Sequence, residues 1–320
     1  MKLSEVTRHE WILAAVLTAV ACICLLAGWG TAEGQTVGEM RETVTYIASD
    51  ECAGRETGSK GLFRAQQYIA QELRDAGLDP RYQEVSSPQK CQNIVAFVQG
   101  ASDKYIVVGA HLDHIGTQRR RVMNGADDNA SGSAAILAMA IDLHKQQNTT
   151  LVPIRHSVVF VWFTGEEHGF WGSNWYAKNL LTPVNGELKA TETLPIFMLN
   201  LDMVGRLRWN FEQVAIPGDI ELPVVDILER LYRRYDFGKH VVYRDGSADS
   251  DHWPFFQRGV PYVLLHTGLH PDYHESGDDT DKINYEGMLK VTHFAQDLLG
   301  AILNAGEPEY DFINGVNPRE

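Results

Sequence analysis

Apolar and polar positions along the chain follow two rhythms. Residues 60–76 place Leu62, Ala65, Tyr68, Ile69 and Leu73 on one face, the spacing of an amphipathic helix. Shorter runs rich in β-branched and aromatic side chains, at 81–85, 93–98, 105–110, 157–164, 196–201 and 261–265, have the length and composition of strands. Helical spacing returns between them at 130–145, 170–179 and 222–235, and again at 285–303. Strand and helix in alternation predict an α/β fold with a mixed, mostly parallel central sheet and helices on both faces. No shift in composition marks a second domain, so residues 36–320 are expected to form one domain behind an N-terminal segment, 1–35.

That segment has its own pattern. Residues 11–29 are uncharged and apolar, long enough to span a bilayer, and Lys2 and Arg8 precede them. The positive flank places the N-terminus in the cytoplasm and everything past about residue 34 outside it. A retained anchor is the favoured reading because the run is longer than a usual signal core. A cleaved signal ending near Gly30-Thr31-Ala32, and a lipoprotein-type site at Ala19 to Cys22, are the alternatives. An exported domain with two cysteines, Cys52 and Cys91, permits a disulfide between them or two buried thiols.

Composition removes some functions. A chain of 320 residues that is 44% hydrophobic and 22% charged is neither disordered nor fibrous. A formal charge of −14, with Arg119 to Arg121 the only basic run, argues against a nucleic-acid partner, because phosphate backbones require Lys and Arg surfaces.

The chemistry lies where the strand runs end. His111, Asp128, Glu167, Asp202 and His274 can all bind a metal, and three of them stand at or just past an apolar run. Open α/β sheets collect their reactive groups at the carboxyl ends of strands, and a His and carboxylate set suits zinc. In His111-Leu112-Asp113 the period of two puts both polar side chains on one side, so Asp113 is expected to hold the ring nitrogen of His111 that faces away from a metal. Taken alone, the same string fits a surface turn. GADDNASG, from Gly125 to Gly132, places two acids at a helix start, where they could be ligands or simple caps. Glu166 and Glu167 follow a strand directly, so one could bind metal while the other carries a proton; two glutamates on a solvated turn are the bland alternative.

Taken in order, HLD, GADDNASG, GEE, NLDMVG, SDHWPF and DYHESGDDT resemble the M28 family of zinc-dependent exopeptidases, which includes bacterial leucyl aminopeptidases. The likeness covers roughly residues 45–290 and takes in SDECAGRETGSKG, although Cys52 stands where an aliphatic residue is expected. The resemblance implies a hydrolase of peptide bonds with two Zn2+ ions, favoured as an aminopeptidase acting on the N-terminus of a peptide or protein over a carboxypeptidase, since the wider family contains both. His111 and Asp202 would hold one ion, Glu167 and His274 the other, and Asp128 would bridge them; Asp113 would orient His111, and Glu166 would be the general base. It also implies a cis peptide between Asp128 and Asn129. Some relatives place a tyrosine just before the SDH string for the oxyanion, whereas here the nearest one upstream is Tyr243, which receives no role.

Two other readings on the same fold are a glutaminyl-cyclase-like transferase with one zinc and a silent receptor-like domain. The complete five-residue set argues against both. Asp251 and His252 either line the site or fix their loop, and His114, His168, His266 and His270 are taken as structural or surface residues. A specificity pocket is expected from the loops 209–216 and 243–253, placed by topology alone.

Overall fold

Burial explains the centre of the molecule. The computed structural model describes residues 36–207, 216–218, 224–237 and 249–304; the predicted apolar span 11–29, Tyr243 and most of both proposed specificity loops lie outside these ranges. Among the described residues no helix is long and apolar enough to cross a membrane. The strands are β1 (Arg81–Val85), β2 (Cys91–Val98), β3 (Tyr105–His111), β4 (Thr117–Gln118), β5 (Arg121–Val122), β6 (Ser157–Phe163), β7 (Leu181–Val184), β8 (Glu187–Ala190), β9 (Phe197–Leu201), β10 (Ile216–Gly218) and β11 (Tyr262–Leu265). Every residue of β3, β6, β9 and β11 is buried, as a strand covered on both faces requires.

Seven strands form one sheet in the order β1-β2-β6-β3-β9-β11-β10. The four central strands β6, β3, β9 and β11 are mutually parallel, while β1 and β2 on one side and β10 on the other run antiparallel to their neighbours. The mixed, mostly parallel expectation therefore holds in its parallel centre, with antiparallel strands on both flanks. The pairs β4–β5 and β7–β8 are separate hairpins that the sequence reading did not include.

The helices are α1 (Val37–Ile47), α2 (Lys60–Asp75), α3 (Gly132–Thr149), α4 (Trp171–Lys178), α5 (Val224–Tyr235), α6 (Trp253–Phe256) and α7 (Tyr285–Asn304). Strand side chains alternate between faces. On one face Val107, Val161 and Phe163 pack with Tyr176 of α4 and Phe255 of α6. On the other, Trp162 donates its indole N–H to the carbonyl of Ser133 in α3 (3.0 Å), and α3 packs with α1 and α7. Phe163 lies about equally far from Tyr176 and Phe255, with ring centroids 6.1 Å apart in each case. Truncating it to Ala would cost about 3–5 kcal/mol and loosen the strand end that delivers Gly165 to Glu167.

Helix α1 falls ahead of residue 60, in a stretch to which the sequence reading assigned no element. A capping box starts it, with Thr36 and Glu39 satisfying each other's backbone N–H, and Met40, Val44 and Ile47 form its buried face. Cys52 and Cys91 are free and buried, so the two-thiol alternative describes the molecule. The Cys52 thiol donates to the Tyr46 carbonyl at 3.4 Å, and Cys91 contacts Ser87 Oγ at 3.0 Å.

Candidate metal centre

Four parallel strands end on the same side of the sheet, and their next residues meet there. β3 ends in His111, β6 runs into Gly165-Glu166-Glu167, β9 is followed by Asp202, and β11 by His266. The fifth contributor is the irregular turn Ala126–Ser131 ahead of α3, entered through Gly125 at φ 55°. The Asp128–Asn129 bond is cis, as the resemblance implied. A Cβ at Gly125 would fall 2.1 Å from the Asp128 carbonyl oxygen and 2.5 Å from the ring of His114, so both the turn and that ring need glycine here.

Two donor clusters share Asp128. One is His111, Asp128 and Asp202; the other is His114, Asp128, Glu167 and His274, and within each cluster the ligand atoms lie within 4.8 Å of one another. His111 Nε2 is 3.4 Å from both Asp128 Oδ1 and Asp202 Oδ1. The other oxygen of Asp128, Oδ2, is 3.1 Å from His274 Nε2 and 3.6 Å from His114 Nδ1. Glu167 reaches His114 Nδ1 at 2.9 Å through Oε1 and His274 Nε2 at 3.2 Å through Oε2. The five sequence-predicted ligands thus converge, with one oxygen of Asp128 facing each cluster.

A frame of hydrogen bonds holds these donors. Ser250 Oγ donates to Asp202 Oδ2 (2.6 Å) and accepts from Asn200 Nδ2 (2.8 Å). Asp278 accepts the backbone N–H groups of Asp127 and Asp128, and Asn129 bridges the carbonyl of Leu201 and the N–H of Met203. Arg55, fully buried, directs its guanidinium at five main-chain carbonyls, those of Ile47, Leu112, Asn124, Gly125 and Asp128. Every N–H of that fork is used on backbone around the shared turn.

Asp113 departs from its expected contact. β3 ends at His111, so the period-two rule does not extend to residue 113. The backbone carbonyl of Asp113, not its carboxylate, lies 3.2 Å from His111 Nδ1. The carboxylate instead accepts from Thr57 Oγ1 (2.7 Å) and from the Glu166 N–H (3.3 Å), which ties the proton-carrying candidate to the His111 segment.

His114, taken from sequence as structural or surface, is fully buried inside the second cluster. Its signal was present in His111-Leu112-Asp113-His114, two imidazoles three positions apart at one strand end. Of the other three, His266 lines the adjacent cavity, His270 is buried 3.2 Å from Asp127 Oδ2, and His168 stacks on Trp171. His252 stacks on Tyr262 at 4.2 Å and fixes its loop. Ser250, Asn200, Asp278 and Arg55 were not singled out as site residues in the sequence.

Charge separates the two adjacent glutamates. Burial, reinforced by the carboxylates of Asp202, Asp251 and Glu167, pushes Glu166 well above the ordinary carboxyl range. Glu167 goes the other way: against the upward pull of burial, hydrogen bonds from His114 and His274 hold it far below that range. Neighbouring groups driven apart in this manner divide into a proton carrier and a permanent anion. His274 is raised to about 10 by its bonds to Asp128 and Glu167, and burial lifts Asp251 to about 7.

The donor set fits divalent cations. Donors about 2.0–2.2 Å from a tetrahedral ion stand roughly 3.3–3.6 Å from one another. The contacts of 3.4 Å around His111 and of 2.9 to 3.6 Å around Glu167 and His274 bracket that edge. Imidazole with carboxylate, and no thiol, suits zinc among the common metals.

A cavity of about 520 Å³ opens beside Glu166 and Asp202, with Leu264, Leu269 and Tyr273 among its apolar lining. None of the described residues lining it is Lys or Arg.

A sheet that brings two overlapping His and carboxylate clusters to its carboxyl edge defines an α/β protein built around a metal centre. The chain belongs to peptidase family M28, whose family model matches residues 93–299. Among its relatives is a protein named probable leucine aminopeptidase from Arthroderma otae, 29% identical over 67% of this chain and 59% of that protein. The leupeptin-inactivating enzyme 1 of Streptomyces exfoliatus is 27% identical over 75% of this chain and 50% of its own length. The chain therefore spans only about half to three-fifths of these two relatives. Solved structures share the fold: LapB of Legionella pneumophila aligns over 84% of this chain and 73% of its own with a TM-score of 0.69 at 20% identity. A zinc aminopeptidase of Bacillus subtilis aligns over 84% and 95% with a TM-score of 0.65 at 16% identity.

Proposed function

We propose that this chain is a zinc-dependent aminopeptidase with a dinuclear site, acting on the N-terminus of peptides or proteins. The observation that carries the reading is the pair of donor clusters sharing Asp128, with Glu166 beside His111, Asp128 and Asp202 on the same cavity wall. Membership of family M28 and relatives named as aminopeptidases support it. His111, Asp128 and Asp202 would hold one ion; Asp128, Glu167 and His274 would hold the other. Two such ions supply Lewis acidity, polarising a peptide carbonyl and acidifying a water molecule.

The chain's own groups do the rest. Glu166 takes one proton from the attacking water and gives it to the amine nitrogen as the C–N bond breaks; the water's oxygen and its second hydrogen stay with the new carboxyl group, which releases that proton to solvent at neutral pH. Its raised proton affinity suits both halves of that task. Asp113 and Thr57 keep the Glu166 backbone in place. Ser250 locks Asp202 so that only one of its oxygens turns toward His111.

The free amine end of a peptide fits this cavity better than the carboxylate end. The described lining carries Asp128, Glu166, Asp202 and Asp249, an acidic surround that favours a cationic chain end. The domain is further proposed to work outside the cytoplasm, tethered by residues 11–29, on the strength of their uncharged run and the preceding Lys2 and Arg8. The deciding assay gives full-length protein, stripped of metal and then reloaded with zinc, a panel of peptides with free or blocked ends. Zinc-restored release of N-terminal residues from free amines is the expected result. Release from the carboxyl end, or pyroglutamate formation with one bound zinc, would overturn it.

A further inference from the structure

We propose that His114 is a metal ligand, giving the cluster it shares with Asp128, Glu167 and His274 four protein donors while the His111 cluster has three. The inference rests on the zinc-hydrolase reading above and adds an inequality between the two sites.

The ring is built into place. Residue 114 follows the end of β3 by three positions and its N–H bonds to the carbonyl of Arg55 (3.1 Å). The bare Cα of Gly125 makes room for the ring, which meets that of His274 edge-on with centroids 5.6 Å apart. Its Nδ1 points into the cluster, 2.9 Å from Glu167 Oε1 and 3.6 Å from Asp128 Oδ2, so a cation between those oxygens and His274 Nε2 would also face this nitrogen. The opposite nitrogen, Nε2, is buried and has no hydrogen-bond partner among the described residues; metal binding at Nδ1 would put the ring proton there, so coordination and packing alone would have to orient the ring.

Two imidazoles and two carboxylates complete a tetrahedral zinc shell from protein alone, which is the pattern of sites that retain their metal. The His111, Asp128 and Asp202 set is one donor short, the pattern of sites that keep a position for substrate or water. His111, Asp128 and Asp202 also line one cavity together with Glu166. The four-donor site should fill first and empty last.

The test loads metal-free, full-length protein with one equivalent of zinc and counts imidazoles around it by X-ray absorption. Two imidazoles are expected in the wild type and one in His114→Asn, which keeps an N–H donor near Glu167 but not the aromatic ligand. Zinc titration against a chromophoric chelator should show the first equivalent at least a thousandfold tighter than the second in the wild type. In His114→Asn the first-equivalent affinity should fall by roughly a thousandfold, beyond the 10–100-fold loss typical of a merely supporting hydrogen bond. One imidazole in the wild type, or a loss of a hundredfold or less in His114→Asn, would overturn the assignment. Zinc-dependent hydrolysis by a wild type with a one-imidazole site would sink this inference and leave the proposed function standing. A wild type that binds zinc without cleaving any peptide would do the reverse.

Discussion

The two clusters that share Asp128 are made differently. His111, Asp128 and Asp202 are all buried; the first and last sit at the ends of central strands, and Ser250 and the Asp113 carbonyl fix two of them from behind. In the other cluster Glu167 lies in a one-turn helix and His274 in a loop at φ 55°, with 36% of its side chain exposed. Strand ends give positional accuracy, while loops give access and tolerance. The contrast is between an inner arm fixed by buried strand ends and an outer arm that reaches solvent at His274.

Four substitutions break or sharpen that contrast. Asp128→Ala touches both arms and is expected to have the largest effect, abolishing both zinc equivalents and lowering kcat/KM by about 10⁴-fold or more. A variant still binding two zinc ions would mean that Asp128 is not shared. Glu166→Gln should act on chemistry alone: zinc content stays at wild-type level while kcat falls by about 10²–10⁴-fold. Near-normal turnover in that variant removes Glu166 from the proton path.

Arg55→Met tests the support beneath the shared turn. It leaves five buried carbonyls short of donors and should cost about 3–5 kcal/mol in urea unfolding. A loss under about 1 kcal/mol would show that water or relaxation replaces the guanidinium. Asp272→Asn probes the outer arm and is the smallest. Hydrogen bonds from Lys282 and then Arg206 hold Asp272 below its ordinary 3.8. A carboxyl depressed on folding contributes stability above the unfolded value, and that contribution is lost as pH falls through the lower, folded one. Since Asp272 is partly exposed, the variant should lose only roughly 0.5–1 kcal/mol at neutral pH, with the difference starting to shrink near pH 3.8 and vanishing only below the folded value. A gap that grows on acidification would reverse the sign of this assignment.

Much of this arrangement was legible in the chain because buried strands carry unbroken apolar runs, and the ligands follow those runs directly. Helix α1 escaped because eleven residues with modest periodicity are announced mainly by their cap, Thr36 with Glu39. The orientation of Asp113 escaped because a two-residue rhythm holds only while the strand lasts, and β3 stops at His111. His114 was visible as a residue, yet nothing local says that its ring turns toward Glu167, 53 positions away. Arg55 was beyond reach for the same reason, since its acceptors extend up to 73 residues along the chain and are main-chain atoms without side-chain identity.

The carboxylate of Asp278 closes the backbone around Asp127 from 151 positions downstream. During synthesis the shared turn therefore has no acceptor for those two amides until nearly the whole domain has left the ribosome. A chain that stops short of residue 274 lacks both this brace and His274, so the proposed activity requires synthesis to have passed residue 278.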